Sequence, residues 1–166
     1  MLKQIFIASV LTLTAGSAAA SPELAELWGA KATALAGDSA PLLDTARQGR
    51  LPALDDTYVI EVERFAFNAT RLGDWTQHAG IPAAIGCSFR RLGEDAEIEL
   101  EALEGARSAR ASAAALDGLM TLFADARRLS TAAAWSARHA SGRPVALQSP
   151  AACPEKPARL NRIAAR

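Results

Sequence analysis

Residues 57–72, TYVIEVERFAFNATRL, carry the strongest periodic pattern of the chain. Apolar side chains recur there at intervals of three and four positions, which is the spacing of one helix face: Tyr58, Val62, Phe65, Ala69 and Leu72. The alternation at the start of this stretch also suits a strand, but it breaks at Arg64 and does not explain the later spacing. We therefore predict a helix over these residues, capped by Asp55 or Asp56 and ended at Gly73.

The residues before this stretch predict one long and one short helix. Ser21-Pro22-Glu23 supplies a cap, a proline at the first helical position and an acid in the first turn. Four large apolar residues then share one face: Leu24, Leu27, Trp28 and Leu35. We expect this helix to end at Gly37, and a short helix from Pro41 to Gln48 to follow, with Ser39 as its N-cap.

The residues after Gly73 predict a third packed helix, which begins near Pro82. Its apolar face consists of Ile81, Ile85, Phe89 and Leu92. We expect Gly93 to end it. The acidic residues that follow alternate with apolar ones, as in a strand, but their Ala, Leu and Glu content favours a helix.

The longest helical composition runs from Ser108 to about Ala140, and its apolar side is formed by Leu116, Leu119, Met120, Phe123 and Ala126. Four prolines follow and favour an irregular strap over another packed helix: Pro144, Pro150, Pro154 and Pro157. The predicted fold class is all-α. We expect a single bundle of about four helices in residues 21–143 and a proline-rich C-terminal strap over residues 144–166.

The first twenty residues have the pattern of a secretory signal peptide. Lys3 precedes an apolar run over residues 5–16, and Ala18-Ala19-Ala20 offers small residues for cleavage. The run is too short to span a bilayer, and no later stretch of the sequence approaches that length. We predict cleavage after Ala20 and an exported protein, for which the periplasm is favoured over the extracellular medium.

The chain has two cysteines, Cys87 and Cys153, and both lie in the exported part. An isolated pair in an oxidising compartment most often forms a structural disulfide. Neither cysteine belongs to a C-x-x-C motif of the kind that redox-active thiols use. We predict a bond that ties the strap to the helix around Phe89. Free thiols and an intermolecular bond are the alternatives.

Opposite charges are separated along the chain. Residues 21–104 contain seven basic and fifteen acidic side chains, whereas residues 105–166 contain ten basic and three acidic ones. We expect the two halves to lie side by side and to neutralise each other in part. The alternative is that the basic C-terminal tail, with Leu160 and Ile163, contacts anionic lipid or an acidic partner. The excess of Arg over Lys does not by itself predict nucleic-acid binding.

Several side chains are candidates for a functional site. Asp74 and His78 stand four residues apart, so on a helix they share a face and could act as metal ligands or as an acid–base pair. The glutamates between Glu94 and Glu104 could bind a hard cation, although such runs more often form a solvated helix face. Four aromatic residues are predicted to point inward, as ordinary core or as the wall of a ligand pocket: Trp28, Phe65, Phe89 and Phe123.

The sequence contains no P-loop, dinucleotide-binding fingerprint, nucleophile elbow or haem attachment motif, and we predict no cofactor. Our leading hypothesis is an exported non-catalytic binding or adaptor protein of the bacterial envelope, which meets an unknown protein partner through a helical surface. The first alternative is a helical bundle that binds a small apolar ligand or a noncovalent cofactor. The second is a small periplasmic hydrolase that uses Asp74 and His78.

Overall fold

A computed structural model describes residues 21–140 and Cys153. The predicted signal peptide and, apart from Cys153, the predicted strap lie outside these residues. The described part contains four helices and no strand: α1 (Pro22–Arg47), α2 (Asp56–His78), α3 (Ala83–Glu104) and α4 (Ala109–His139). The predicted all-α bundle of four helices is confirmed. Within residues 21–140, no helix is both long and apolar enough to cross a membrane.

Three predicted helix starts are confirmed by their capping hydrogen bonds. The side chains of Ser21, Asp55 and Ser108 accept the backbone N–H groups of Leu24, Thr57 and Ala111, respectively. Each bond satisfies one of the N–H groups that a helix leaves free in its first turn. Local side-chain chemistry is therefore enough to place these three starts.

The predicted helix ends at Gly37, Gly73 and Gly93 are wrong, because α1, α2 and α3 continue through them. The chain instead turns at Gly49 and Gly80, whose φ angles of 81° and 67° lie in the left-handed region. Glycine adopts that conformation without steric cost, which is why it follows so many helix ends. The sequence shows the glycines, but the backbone decides which of them end a helix.

Ser39 does not cap a separate helix, because α1 runs without interruption past Pro41 to Arg47. The Ser39 hydroxyl is fully buried and donates to the carbonyl oxygen of Leu35 at 2.7 Å. Its oxygen lies 2.8 Å from the hydroxyl of Tyr58, which therefore donates to it. Burial raises the pKa of Tyr58. The pair joins α1 to α2 at the end of the bundle near their connecting loop.

Glycines bring α2 and α3 into close contact. A Cβ atom at Gly93 would lie 2.8 Å from the backbone oxygen of Ala66, and one at Gly73 would lie 2.9 Å from the backbone oxygen of Gly86. Since both neighbours are backbone atoms, neither can move aside as a flexible side chain does. These positions therefore need glycine for packing rather than for conformational freedom.

The four helices do not pack equally against one another. The most extensive interfaces join α1 to α4 and α2 to α3, and α3 also packs on α4, whereas α1 and α2 share only a small interface. The buried centre contains Phe65, Phe89 and Phe123, together with Leu35 and Leu116. Ion pairs of both polarities join α1 to α4: Arg138 with Glu26 at 2.8 Å has the expected polarity, and Arg47 with Asp117 at 2.9 Å has the reverse one. The bundle is consequently closed on three sides and open between α1 and α2.

We expect alanine to have opposite effects at Gly93 and Gly37. Gly93→Ala should lower the free energy of unfolding by about 1–3 kcal/mol, because its methyl group collides with the backbone of α2. Gly37→Ala should raise it by about 0.5–1 kcal/mol, because a Cβ there meets nothing within 4 Å and alanine is the better helix former. Urea denaturation followed by circular dichroism measures both. Equal effects of the two substitutions would contradict the close approach of α2 and α3.

Candidate functional site

The open side of the bundle forms a groove between α1 and α2 with a volume of about 780 Å³. Small-molecule sites in proteins typically occupy about 300–1,000 Å³. The groove is lined by Leu24, Leu27, Trp28, Lys31, Glu61, Arg64, Phe65, Asn68, Arg71, Leu72, Asp74, Trp75 and His78. Its size and its mixed apolar and polar lining make it the candidate functional site.

The floor of the groove is apolar and aromatic. Trp28, Phe65, Leu72 and Trp75 are all buried. The Trp28 ring stacks on Phe65, with centroids 4.5 Å apart and planes inclined by 7°, and its Nε1–H donates to the backbone oxygen of Phe65 at 3.0 Å. Stacking and the hydrogen bond together fix the indole in one orientation, as buried tryptophans require.

The four aromatic residues predicted as core or pocket fall into two layers. Trp28 and Phe65 line the groove, whereas Phe89 and Phe123 lie behind them. Phe89 meets Trp28 edge to face at 5.2 Å, and Phe123 meets Phe65 in the same way at 5.1 Å. The second layer supports the floor, and of the four rings only Trp28 and Phe65 line the groove.

Two leucines on the rim are exposed, although the sequence predicts them on the inward face of α1. Leu24 and Leu27 retain 44% and 64% of their accessible surface, whereas Trp28 and Leu35 on the same predicted face are buried. The difference arises because α2 does not close over this part of α1. The predicted apolar face therefore exists, but among the described helices none packs against its N-terminal half.

An ion-pair cluster spans one end of the groove. The Glu61 carboxylate of α2 lies 2.5 Å from Lys31 Nζ of α1 and 2.8 Å from Arg64 Nη1, one turn further along α2. The hydrogen bond from Lys31 holds the pKa of Glu61 below its ordinary value of 4.5. One carboxylate is thus shared by two cations, which leaves positive charge in excess at this end.

The other end of the groove holds Asp74 and His78, which do not bond to each other through their side chains. The Asp74 carboxylate accepts from Arg90 Nη1 at 3.3 Å, while Nδ1–H of His78 donates to the backbone oxygen of Asp74 at 3.0 Å. In residues 21–140, and with Cys153 included, no three His, Cys, Asp or Glu side chains converge as metal ligands. A metal or acid–base role of this pair stays a prediction.

The acidic run on α3 can be tested in the same way, by asking whether three potential metal ligands converge. Glu94, Glu97, Glu101 and Glu104 are exposed to solvent along this helix. None of them takes part in a group of three ligands within the described residues. They form the solvated helix face that such a run typically provides.

Cys87 and Cys153 lie at disulfide-bonding distance, with their Cα atoms 5.4 Å apart. The Arg90 guanidinium lies beside the bond, with Nη2 3.2 Å from the Sγ of Cys153, and it also holds Asp74. The bond therefore fixes one point of the predicted strap next to the Asp74 end of the groove.

Most of the polar rim was not predicted from the sequence. The rim includes Lys31, Arg64, Asn68 and Arg71. Trp75 of the floor was also missed, because the predicted helix end at Gly73 separated it from the rest of α2. A seven-residue spacing would have revealed the rim residues on α2, because it returns a helical side chain to nearly the same face. Two such series line the groove: Glu61, Asn68 and Trp75, and Arg64, Arg71 and His78.

No protein-family model, no curated protein and no solved structure matches the chain.

We expect Lys31→Gln to raise the pKa of Glu61 towards 4.5, because the substitution removes the charged donor, whereas Lys31→Arg should keep it low. A carboxylate whose folded pKa is lowered stabilises the fold above its unfolded pKa, and this stabilisation is lost as the pH falls through the folded pKa. The stability difference between wild type and Lys31→Gln should therefore shrink below pH 4.5. Carboxyl-detected NMR titration measures the pKa, and an unchanged value would show that Arg64 alone sets it.

The disulfide should stabilise the fold mainly by restricting the unfolded chain, since it closes a loop of 66 residues. We expect the double variant Cys87→Ser/Cys153→Ser to lose about 2–4 kcal/mol in its free energy of unfolding. Urea denaturation with and without dithiothreitol tests this. The reductant should destabilise the wild type and leave the double variant unchanged, and a wild type that is indifferent to it would contradict the prediction.

Proposed function

We propose that this protein is an exported, periplasmic, non-catalytic binding protein that takes an apolar ligand in the groove between α1 and α2. The observation that carries the proposal is the pair of exposed leucines, Leu24 and Leu27, above a floor of buried aromatic rings. Each square ångström of apolar surface that a ligand covers contributes about 25 cal/mol. A ligand that lies on the floor and against both leucines would cover the apolar surface of α1 that α2 leaves exposed.

The rigidity of the floor supports ligand binding. Trp28 is fixed by stacking, by its hydrogen bond to Phe65 and by the edge of Phe89. A preformed surface pays little conformational entropy when a ligand arrives, which leaves more of the contact energy as affinity. The Cys87–Cys153 pair supports the exported location, because disulfides persist in oxidising compartments.

An adaptor that binds a protein partner is the second candidate, and exposed aromatic residues favour it. Trp135 is 63% exposed on α4, where it stacks on His139 at 4.4 Å, and Phe67 is 60% exposed on α2. Exposed aromatic side chains are enriched in protein interfaces. The predicted contact of the basic tail with anionic lipid concerns residues beyond the described part and stays a prediction.

Binding of a neutral apolar fluorophore tests the proposal. N-phenyl-1-naphthylamine brightens in apolar surroundings, and we expect it to bind the purified protein with saturation. Leu27→Gln should weaken this binding about fivefold, which corresponds to about 1 kcal/mol of lost apolar contact. The matched control is Ile98→Gln, because Ile98 is also exposed, at 51%, but lies on α3 away from the groove.

The control distinguishes binding of the fluorophore in the groove from nonspecific binding to exposed apolar residues. Neither residue is buried, so both variants should unfold at the urea concentration of the wild type. Equal weakening by the two substitutions, or no saturable binding in the wild type, would contradict the proposal.

A further inference from the structure

The groove is rich in positive charge although it lies in the acidic half of the chain. Residues 21–104 contain seven basic and fifteen acidic side chains, yet three of the basic ones and only two of the acidic ones line the groove. The three basic residues are Lys31, Arg64 and Arg71. Their presence reverses, at this one site, the charge balance of the sequence around it.

Both acidic side chains of the groove are already paired. Glu61 contacts Lys31 and Arg64, and Asp74 contacts Arg90, which belongs to α3 and does not line the groove. Because Arg90 neutralises Asp74 from outside, Asp74 does not offset the charge of Arg71. The groove therefore keeps an excess of cationic charge above an apolar floor.

Arg71 is the cation best placed to meet an anionic ligand. Its side chain is exposed, and within residues 21–140 no carboxylate forms an ion pair with it. Its guanidinium lies 5.8 Å from the centre of the Phe67 ring. Phe67 does not itself line the groove, so this cation–π contact keeps the guanidinium at the outer edge of the groove, where its charge and its N–H donors are available to an anion.

The dimensions of the groove suit a small elongated ligand. From Glu61 to His78, α2 lines the groove for about 25 Å, at about 1.5 Å per residue. The groove volume of about 780 Å³ lies within the range of small-molecule sites. A single acyl chain laid along α2 matches both the length and the size of the groove.

We propose that the ligand is a free single-chain anionic amphiphile, whose apolar chain lies on the Trp28 and Trp75 floor and whose head group pairs with Arg71. This inference depends on the proposed function, since it assigns a ligand class to the same groove. The carboxylate of a fatty acid and the sulfate or phosphate of an alkyl ester share the required chemistry. Arg binds such groups through paired N–H donors, which lysine cannot match.

Competition between two ligands that differ only in their head group tests the proposal. Decanoate and decan-1-ol, both below the concentrations at which they aggregate, are used to displace N-phenyl-1-naphthylamine from the full chain. We expect decanoate to bind about tenfold more tightly than the alcohol at low salt, and the difference to shrink as NaCl screens the pair. Arg71→Gln should abolish the difference, while Arg71→Lys should keep part of it.

The control substitution is Arg110→Gln, which removes the same charge from an exposed position on α4 outside the groove and should leave the preference intact. Because Arg71 and Arg110 are both exposed, unfolding midpoints equal to that of the wild type verify that each variant is folded.

The outcomes distinguish the two proposals. Saturable probe binding with equal affinities for decanoate and decan-1-ol would overturn the anionic ligand and leave the apolar groove standing. Failure of the probe and of both amphiphiles would overturn both. A preference for decanoate that persists in Arg71→Gln would overturn the assignment of Arg71. Sedimentation with phosphatidylglycerol vesicles, lost in Arg71→Gln and without a preference for free decanoate, would make a membrane surface the occupant and also overturn the proposal.

Discussion

The stacking of Trp28 on Phe65 is the contact on which the open side of this bundle depends. A small interface joins α1 to α2, and within it the indole supplies a ring-to-ring contact and a hydrogen bond to the backbone of α2. Phe89 of α3 packs edge to face against the same indole. One side chain thus holds three helices together and also forms the floor of the groove, so the stability of the fold and the shape of the site have a common origin.

The groove is a consequence of how the other interfaces are built. Glycines let α2 and α3 approach to backbone contact, and α4 packs against both α1 and α3. In this arrangement α2 lies close to α3 and leaves the first turns of α1 uncovered. Leu24 and Leu27 are then left facing outward, even though the face they belong to becomes buried further along at Leu35. Close packing on one side of α2 thus accompanies exposed apolar surface on the other.

Sequence patterns predicted the parts of this fold that local chemistry decides. The apolar spacing of residues 57–72, the caps at Ser21 and Asp55 and the start of the last helix at Ser108 require only neighbouring residues to be understood. Gly93 and Gly80 look alike in sequence. Gly93, however, lies inside α3 and permits close contact with Ala66, whereas Gly80 has a positive φ and follows the end of α2. That distinction depends on a partner helix far away in the chain, so no local pattern contains it.

The candidate site was harder to predict than the fold for the same reason. Trp28 and Phe65 were recognisable as inward-facing aromatics, but an aromatic floor and an aromatic core have the same helical spacing. What separates them is whether another helix covers the surface, and whether nearby charges have partners. Arg71 illustrates the importance of such partners. It lies in the acidic half of the sequence, where one expects a nearby carboxylate to neutralise it. In the structure, however, the nearby Asp74 pairs with Arg90. The charge available to a ligand is therefore decided by pairing across helices and not by composition.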